Sequence, residues 1–368
     1  MKVLHISGSG SWGGNEQQMV DLIPELEKIG VQNAIFGVTD GALHTYAATH
    51  RIPFIEAQGE KMNTFANYKF LKTILKNTET DILHLHSSNA VTTYVISDLL
   101  YGLKKPTVFS KKGMGSSMSF LSRYKYNYKN LHKIICISEA VRTFMKDGVI
   151  KPKNHSKLEV VYDGINVERL VPKRTDSVRE LFNIPKHLKI IGNIANQFDA
   201  KDLSTLFNMM HYLVHELNYK DVHLLQIGKF TNLTDGFKAQ IEALEISNYV
   251  TLAGYQDHAT DLMAQFDVFI MSSQREGGPL TVYESFYKKI PVVSTRVGVV
   301  PEVIEDGVNG FSAEVKDYKS LAEKTKTLLE DPMLQKQFKE QSYALFEDKF
   351  NADVTAVKTL KIYQALMK

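Results

Sequence analysis

One cysteine, Cys136, stands in 368 residues. An internal disulfide is therefore excluded, and a thiol inside the apolar run Ile134-Ile135-Cys136-Ile137 reads as a small buried hydrophobe in a reducing compartment. No apolar run approaches the ~18 to 20 residues of a membrane span, so any contact with a bilayer is expected to be peripheral. The chain goes straight from Met1-Lys2 into a short strand-like run ending at Ser7-Gly8, with no stretch resembling a secretory leader, and a cytoplasmic location is expected. No Asp-x-Asp triplet occurs, and His84 and His86, on one face of a strand, have no matching Cys, His or carboxylate motif; no metal site is expected. Low-complexity tracts and short-period repeats are missing too. Acids are missing from one long stretch. Lys104, Lys105, Lys111, Lys112, Arg123, Lys125, Lys129 and Lys133 follow one another with no Asp or Glu between them.

What is present describes an ordinary soluble globular chain, with 43% hydrophobic and 23% charged residues. The length suits two domains of common size. Short apolar runs ending at Gly, Ser or Asp alternate with helix-length amphipathic stretches, the pattern of repeated βαβ units on a parallel sheet. The first half offers strands at 3–6, 33–36, 82–85, 107–109 and 134–137, with helices such as Gln17 to Ile29 and Ala140 to Asp147 between them. After Asp163-Gly164-Ile165-Asn166 a polar stretch, Pro172 to Ser177, reads as a linker. The pattern then restarts, with strands at 189–192, 222–228, 250–252, 268–271 and 292–294. The predicted class is α/β with two Rossmann-like domains, residues 1–168 and 169–345, facing a central cleft. Residues 346–368 form a terminal helix expected to cross back to the N-terminal domain.

Chemistry concentrates at Ser272-Ser273-Gln274-Arg275-Glu276-Gly277-Gly278-Pro279-Leu280, between a strand and a helix. Pro279 fits the first turn of that helix, and Gly277 and Gly278 let bare backbone approach a ligand. Amides at a helix N-terminus bind anions and oxygen-rich groups. Glu276 in the loop and Glu284 two turns later place carboxylates at both ends of such a ligand, and carboxylates grip vicinal hydroxyls. The sequence here resembles the retaining GT-B glycosyltransferases of family 4, whose hallmark is Glu-x7-Glu with glycines after the first Glu. Other parts fall in the family's order: Gly13-Gly14 and Glu16, Ile137-Ser138-Glu139, Asp163 to Asn166, Lys201, Pro291 to Gly298, and Pro301 to Gly310.

The resemblance implies roles. Lys201 would neutralise the donor diphosphate, where charge grows as the leaving group departs. Glu276 would hold hydroxyls of the transferred sugar, the backbone of Gly277, Gly278, Pro279 and Leu280 would touch sugar or phosphate, Glu284 would hold the ribose diol, and Gly14 would face the diphosphate. Two positions depart from the family. Asn196 stands where a second cation is usual, leaving Arg275 and Arg296 as substitutes, with Asn196 itself a neutral donor contact. Lys112 stands where a His near the reacting carbon is usual, and reads either as a phosphate or acceptor contact or as a surface lysine. His86 reads either as a residue near the acceptor or as a core histidine.

The implied activity is transfer of a hexosyl or N-acetylhexosaminyl group, with retention, from a nucleotide-diphosphate-sugar to a glycan or lipid-linked acceptor in cell-surface polysaccharide or glycolipid synthesis. No cofactor beyond that substrate and no metal is implied. An epimerase or phosphorylase on the same fold, or a non-catalytic sugar-nucleotide-binding module, is the alternative. Gly8-Ser9-Gly10-Ser11-Trp12-Gly13 also matches the dinucleotide fingerprint, but the acid that should end the second strand is missing, Asp40 coming late. In the basic run cations alternate with aromatics from Phe120 to Lys129, a composition suited to an anionic membrane surface, to nucleic acid, or to a solvated face. The resemblance to enzymes acting on lipid-linked acceptors at the inner leaflet favours the membrane, and no nucleic-acid partner is expected.

Overall fold

A computed structural model describes residues 1–114 and 119–368. The chain divides into two compact units, Met1–Asn166 together with Lys349–Lys368, and Val167–Asp348. The first holds a parallel sheet of β1 (Lys2–Ser7), β2 (Gln32–Gly37), β3 (Phe54–Glu56), β4 (Ile82–Leu85), β5 (Thr107–Lys111), β6 (Lys133–Cys136) and β7 (Leu158–Val160), in the order 3-2-1-4-5-6-7. The second holds β8 (Lys189–Ile194), β9 (Val222–Ile227), β10 (Val250–Leu252), β11 (Val268–Met271), β12 (Val292–Thr295) and β13 (Phe311–Ala313), in the order 10-9-8-11-12-13, again all parallel.

Both sheets are covered on two faces, which is why their central strands read as unbroken apolar runs. β4, β9, β11 and β12 are buried along their whole length. Cys136 lies in the first core, and burial pushes its thiol up to about 12, which leaves it unreactive at neutral pH. Among the described residues no helix is long and apolar enough to cross a membrane.

In open sheets of this kind strand order reverses once, and the loops leaving the C-terminal edge diverge at that point to leave a crevice. The reversals fall between β1 and β4 in the first unit and between β8 and β11 in the second. The stretch Pro172 to Ser177, expected as a linker, is held on the second unit instead. Backbone amides of Lys173 and Arg174 donate to Asp261 Oδ2 at 2.8 and 3.2 Å, and Gln265 Nε2 donates to the Asp176 carbonyl. The last helix, Ala352–Met367, packs on the helix Gly14–Lys28 of the first unit.

Candidate functional site

At the reversal of the second sheet, two loops leave β8 and β11 side by side and are sewn together. The loop after β8 ends in a short turn, Asp199–Lys201, and Asp202 then caps the helix Leu203–His211 by accepting from Thr205 N. Gln226 on β9 donates to the Ala195 carbonyl at 2.7 Å, Gln197 donates to Gln226 Oε1, and Thr234 donates to Gln197 Oε1, so buried amides fix the loop's path. Backbone approach is so close that a Cβ on Gly228 would sit 1.8 Å from the Ala195 carbonyl oxygen. The loop after β11 rests on this base. Gln274 N donates to the Ala200 carbonyl at 2.8 Å, and Ser272 Oγ donates to the Lys201 carbonyl at 3.1 Å.

These contacts bring two predicted residues together. Lys201 Nζ lies 2.5 Å from Glu276 Oε1, with 31% of the lysine side chain and 11% of the glutamate side chain exposed, and Ser273 Oγ donates to the same carboxylate at 2.8 Å. The pair is therefore preformed but reachable from solvent. Gly298 presses on it from the β12 loop: at φ +55° it occupies a conformation that disfavours side chains, and a Cβ would fall 2.4 Å from the Glu276 carbonyl oxygen. Val299 N donates to the Gly277 carbonyl at 3.2 Å. Pro279 is the residue before the helix Leu280–Tyr287 rather than its first turn, with φ −73° and ψ 103°. Glu284, on that helix, is buried and accepts from Arg169 Nη2 at 2.7 Å.

The other expected donor contacts separate. Asn196 Oδ1 accepts from Lys229 N at 2.8 Å, so its side chain holds backbone. Arg275 is exposed, and Arg296 Nε lies 3.4 Å from Glu314 Oε1. Neither substitute for the family's second cation stands at the Lys201–Glu276 pair by any contact described.

At the reversal of the first sheet the residues are of another kind. Gly8 N donates to Ser87 Oγ at 2.9 Å, joining the loops after β1 and β4, and Gly14 opens the helix Gly14–Lys28. Glu16 in its first turn has its carboxyl pushed up by burial. Beneath these loops His5 on β1 meets His84 on β4 and His86 just after it, all in the core. Asn33 donates its amide to the Val31 carbonyl, so its Oδ1 must accept from His5 Nε2 at 3.0 Å. His5 Nδ1 then accepts from His86 Nε2 at 2.9 Å. His84 is held on both sides, by Tyr363 Oη at 2.6 Å and Ser110 Oγ at 2.7 Å. Burial lowers all three histidines, His5 to about 4, so the cluster is neutral.

The ligand atoms of the three histidines lie within 4.8 Å of one another, close enough to suggest a metal. Hydrogen bonds already engage both ring nitrogens of His5 and His84 and one of His86. Only His86 Nδ1 has no hydrogen-bond partner among the described residues, so the cluster fits a metal poorly. His86, 2% exposed, is a core histidine. Lys112 is not a surface lysine: it pairs with Asp163, with 12% of the lysine side chain and 5% of the aspartate side chain exposed, and both line a cavity of about 10 Å³, room for roughly one water.

Comparison with known proteins gives this architecture a family. Residues 12–169 match the family model "Glycosyltransferase Family 4" and residues 175–345 match "Glycosyl transferases group 1". The chain is 28% identical over 323 residues to N,N'-diacetylbacillosaminyl-diphospho-undecaprenol alpha-1,3-N-acetylgalactosaminyltransferase of Campylobacter jejuni, covering 82% of this chain and 81% of that one. It is 24% identical over 296 residues to N-acetyl-alpha-D-glucosaminyl L-malate synthase of Bacillus anthracis, covering 78% and 75%. Among solved structures, a glycosyltransferase of Rickettsia africae superposes with a TM-score of 0.86 at 21% identity, over 100% of this chain and 98% of that one. Anabaena HepE in complex with UDP superposes at 0.85 and 19% identity, over 99% and 100%. The chain belongs to the GT-B glycosyltransferases.

Three residues of this glycosyltransferase carry geometry that its sequence did not announce. His5 is visible only once β1 is set in register with β4, where it faces His84. Asp163 and Lys112 are fifty-one positions apart, and nothing local pairs them. Arg169 sits in a four-residue turn, Val167–Leu170, whose only signal was its closeness to the restart of the α/β pattern.

The basic run is divided by its contacts. Lys105 Nζ binds the Thr80 carbonyl, Lys111 the Gly113 carbonyl, Lys125 both Ser88 and Thr92, and Lys133 pairs with Glu159. Tyr126 stacks on Phe109, and Tyr128 Oη donates to Asp98 Oδ2 at 2.7 Å, so these two tyrosines belong to the core. Phe120, Leu121 and Tyr124 are exposed. Phe120, Arg123, Tyr124, Lys129, Lys151 and Lys153 line a groove of about 650 Å³ whose acidic residue is Asp147.

Proposed function

We propose that this chain transfers a sugar, with retention and without a divalent metal, from a nucleoside-diphosphate-sugar to a hydroxyl of a glycan or lipid-linked acceptor in cell-surface glycan synthesis. The observation that carries the reading is the Lys201–Glu276 pair, fixed by contacts to the backbone at the strand-order reversal of the second unit. Each group satisfies the other. A donor would replace that contact, its diphosphate taking Lys201 and its sugar hydroxyls taking Glu276. As the bond from anomeric carbon to phosphate oxygen breaks, negative charge grows on that oxygen beside Lys201, which stabilises the transition state more than the ground state. The same oxygen accepts the proton of the incoming hydroxyl, and attack from the leaving-group face retains configuration. Metal independence follows from a lysine doing the charge neutralisation and from a sequence with no Asp-x-Asp.

Donor and acceptor classes take support from relatives. HepE has been solved with UDP and with UDP-glucose, and the Campylobacter relative has a diphospho-undecaprenol acceptor in its name. The exposed Phe120, Leu121 and Tyr124 beside Arg123, Lys129, Lys151 and Lys153 suit the anionic surface in which a lipid-linked acceptor would reside. The deciding experiment is thermal unfolding with UDP-, GDP- and ADP-sugars, where a ligand at ~100 times its dissociation constant adds about 2.7 kcal/mol of stability. Product analysis with the stabilising donor follows, with and without EDTA. No stabilisation by any donor removes the donor assignment, and loss of transfer on chelation removes metal independence.

A further inference from the structure

Glu284 is a buried carboxylate on the second turn of the helix Leu280–Tyr287, and the structure gives it a cation. Arg169 Nη2 stands 2.7 Å from its Oε1, with 22% of the arginine side chain and 7% of the glutamate side chain exposed. The turn that carries Arg169 is held a second time at the end of that helix, because Lys288 Nζ, on the residue after its last turn, donates to the Leu170 carbonyl at 3.2 Å. A carboxylate taken out of water without a partner is costly, and one held by a guanidinium is fixed in direction. A guanidinium on Oε1 leaves the lone pairs of Oε2 to accept hydroxyl protons. Vicinal hydroxyls are the donors that such a fixed carboxylate suits.

We infer that Arg169 is the positioning residue of a ribose subsite: by holding one oxygen of Glu284 it presents the other to the 2′- and 3′-hydroxyls of the nucleoside. The inference rests on the donor reading above and goes beyond it, since it assigns the orientation of the Glu284 carboxylate to a residue outside the Glu-x7-Glu stretch. Arg169 acts through Glu284 and touches no reacting atom. Its loss therefore falls on donor binding and not on the chemical step.

The test uses the full chain, the nucleoside diphosphate among UDP, GDP and ADP that stabilises it against heat, and the 2′-deoxy form of that nucleotide. Wild type is expected to bind the deoxy form about tenfold more weakly, the scale of one hydrogen bond to a charged group. In Arg169→Ala the parent nucleotide weakens by about the same factor, discrimination against the deoxy form shrinks to less than threefold, and donor KM rises while kcat stays within threefold. Arg169→Lys, which keeps the charge and loses the fork, falls between. Should Arg169→Ala not fold, the same comparison on Arg169→Lys decides. Undiminished discrimination in the variant that folds, or a fall confined to kcat, overturns the inference while leaving the donor reading intact. A wild type that none of the three nucleotides stabilises overturns both.

Discussion

The two units place opposite chemistry at equivalent points of the same topology. In each, strand order reverses beside the first strand of a parallel sheet, β1 with β4 and β8 with β11. The second unit puts partly exposed charge there, Lys201 against Glu276, on loops fixed by hydrogen bonds to the backbone. Under the matching loops the first unit puts three neutral histidines and the buried Lys112–Asp163 pair. Topology thus decides where loops diverge, and burial decides what they do. Charge that water and ligand can reach is available for transition-state stabilisation, whereas charge sealed beneath the loops is committed to structure.

The comparison breaks most severely if the sealed pair proves dispensable. Removing one partner of a buried ion pair leaves an uncompensated charge and costs about 3 to 5 kcal/mol, so Asp163→Leu should lower stability by that order. Lys112→Met should do the same, and the double variant should recover most of the loss, because two apolar side chains fill the space without a stranded charge. Denaturant unfolding of the four proteins measures this. Single variants within about 1 kcal/mol of wild type would show that Lys112 is solvated after all.

The open pair gives the converse result. Lys201→Ala should leave unfolding nearly unchanged and lower turnover by a factor on the order of 10² to 10³, the effect of one lost electrostatic donor. Steady-state kinetics on a variant with native circular dichroism decides the matter. Retention of more than about a tenth of wild-type turnover would move Lys201 out of the mechanism.

This division also marks what was legible in the sequence. Long apolar runs gave ten of the thirteen strands among the described residues, because a strand covered on both faces is written as a continuous hydrophobic stretch. The expectations omitted β3, β7 and β13, each three residues long and only partly buried or flanked by polar residues. Glu276, Glu284 and Lys201 were legible because a loop before a helix has a local signature of glycine, proline and carboxylate. His5, Asp163 and Arg169 were not, since each acquires meaning only through a partner distant in sequence. Tyr126 and Tyr128 were misplaced on the basic face for the same reason: their partners Phe109 and Asp98 come from other elements.

The smallest effect tests whether the sealed region is neutral. His5 is lowered by burial from 6.5 to about 4, so in the window between those values the unfolded chain binds a proton that the folded chain refuses. Stability must then rise with pH across the window and fall as the medium is acidified below pH 6.5, flattening once the folded group itself protonates near pH 4. For His5 alone, acidification from pH 7.5 to 5 should remove about 2 kcal/mol. His84 and His86, also lowered well below their ordinary value, add to the loss in the same direction. His5→Gln keeps an amide to donate to Asn33 and cannot titrate, so its stability should decline less steeply by about that amount. Unfolding measured at pH 7.5, 6.5, 5.5 and 5 for both proteins gives the two slopes. If they coincide, His5 is protonated in the folded protein, the assigned chain from Asn33 through His5 to His86 is wrong, and the first unit holds charge at its reversal just as the second does.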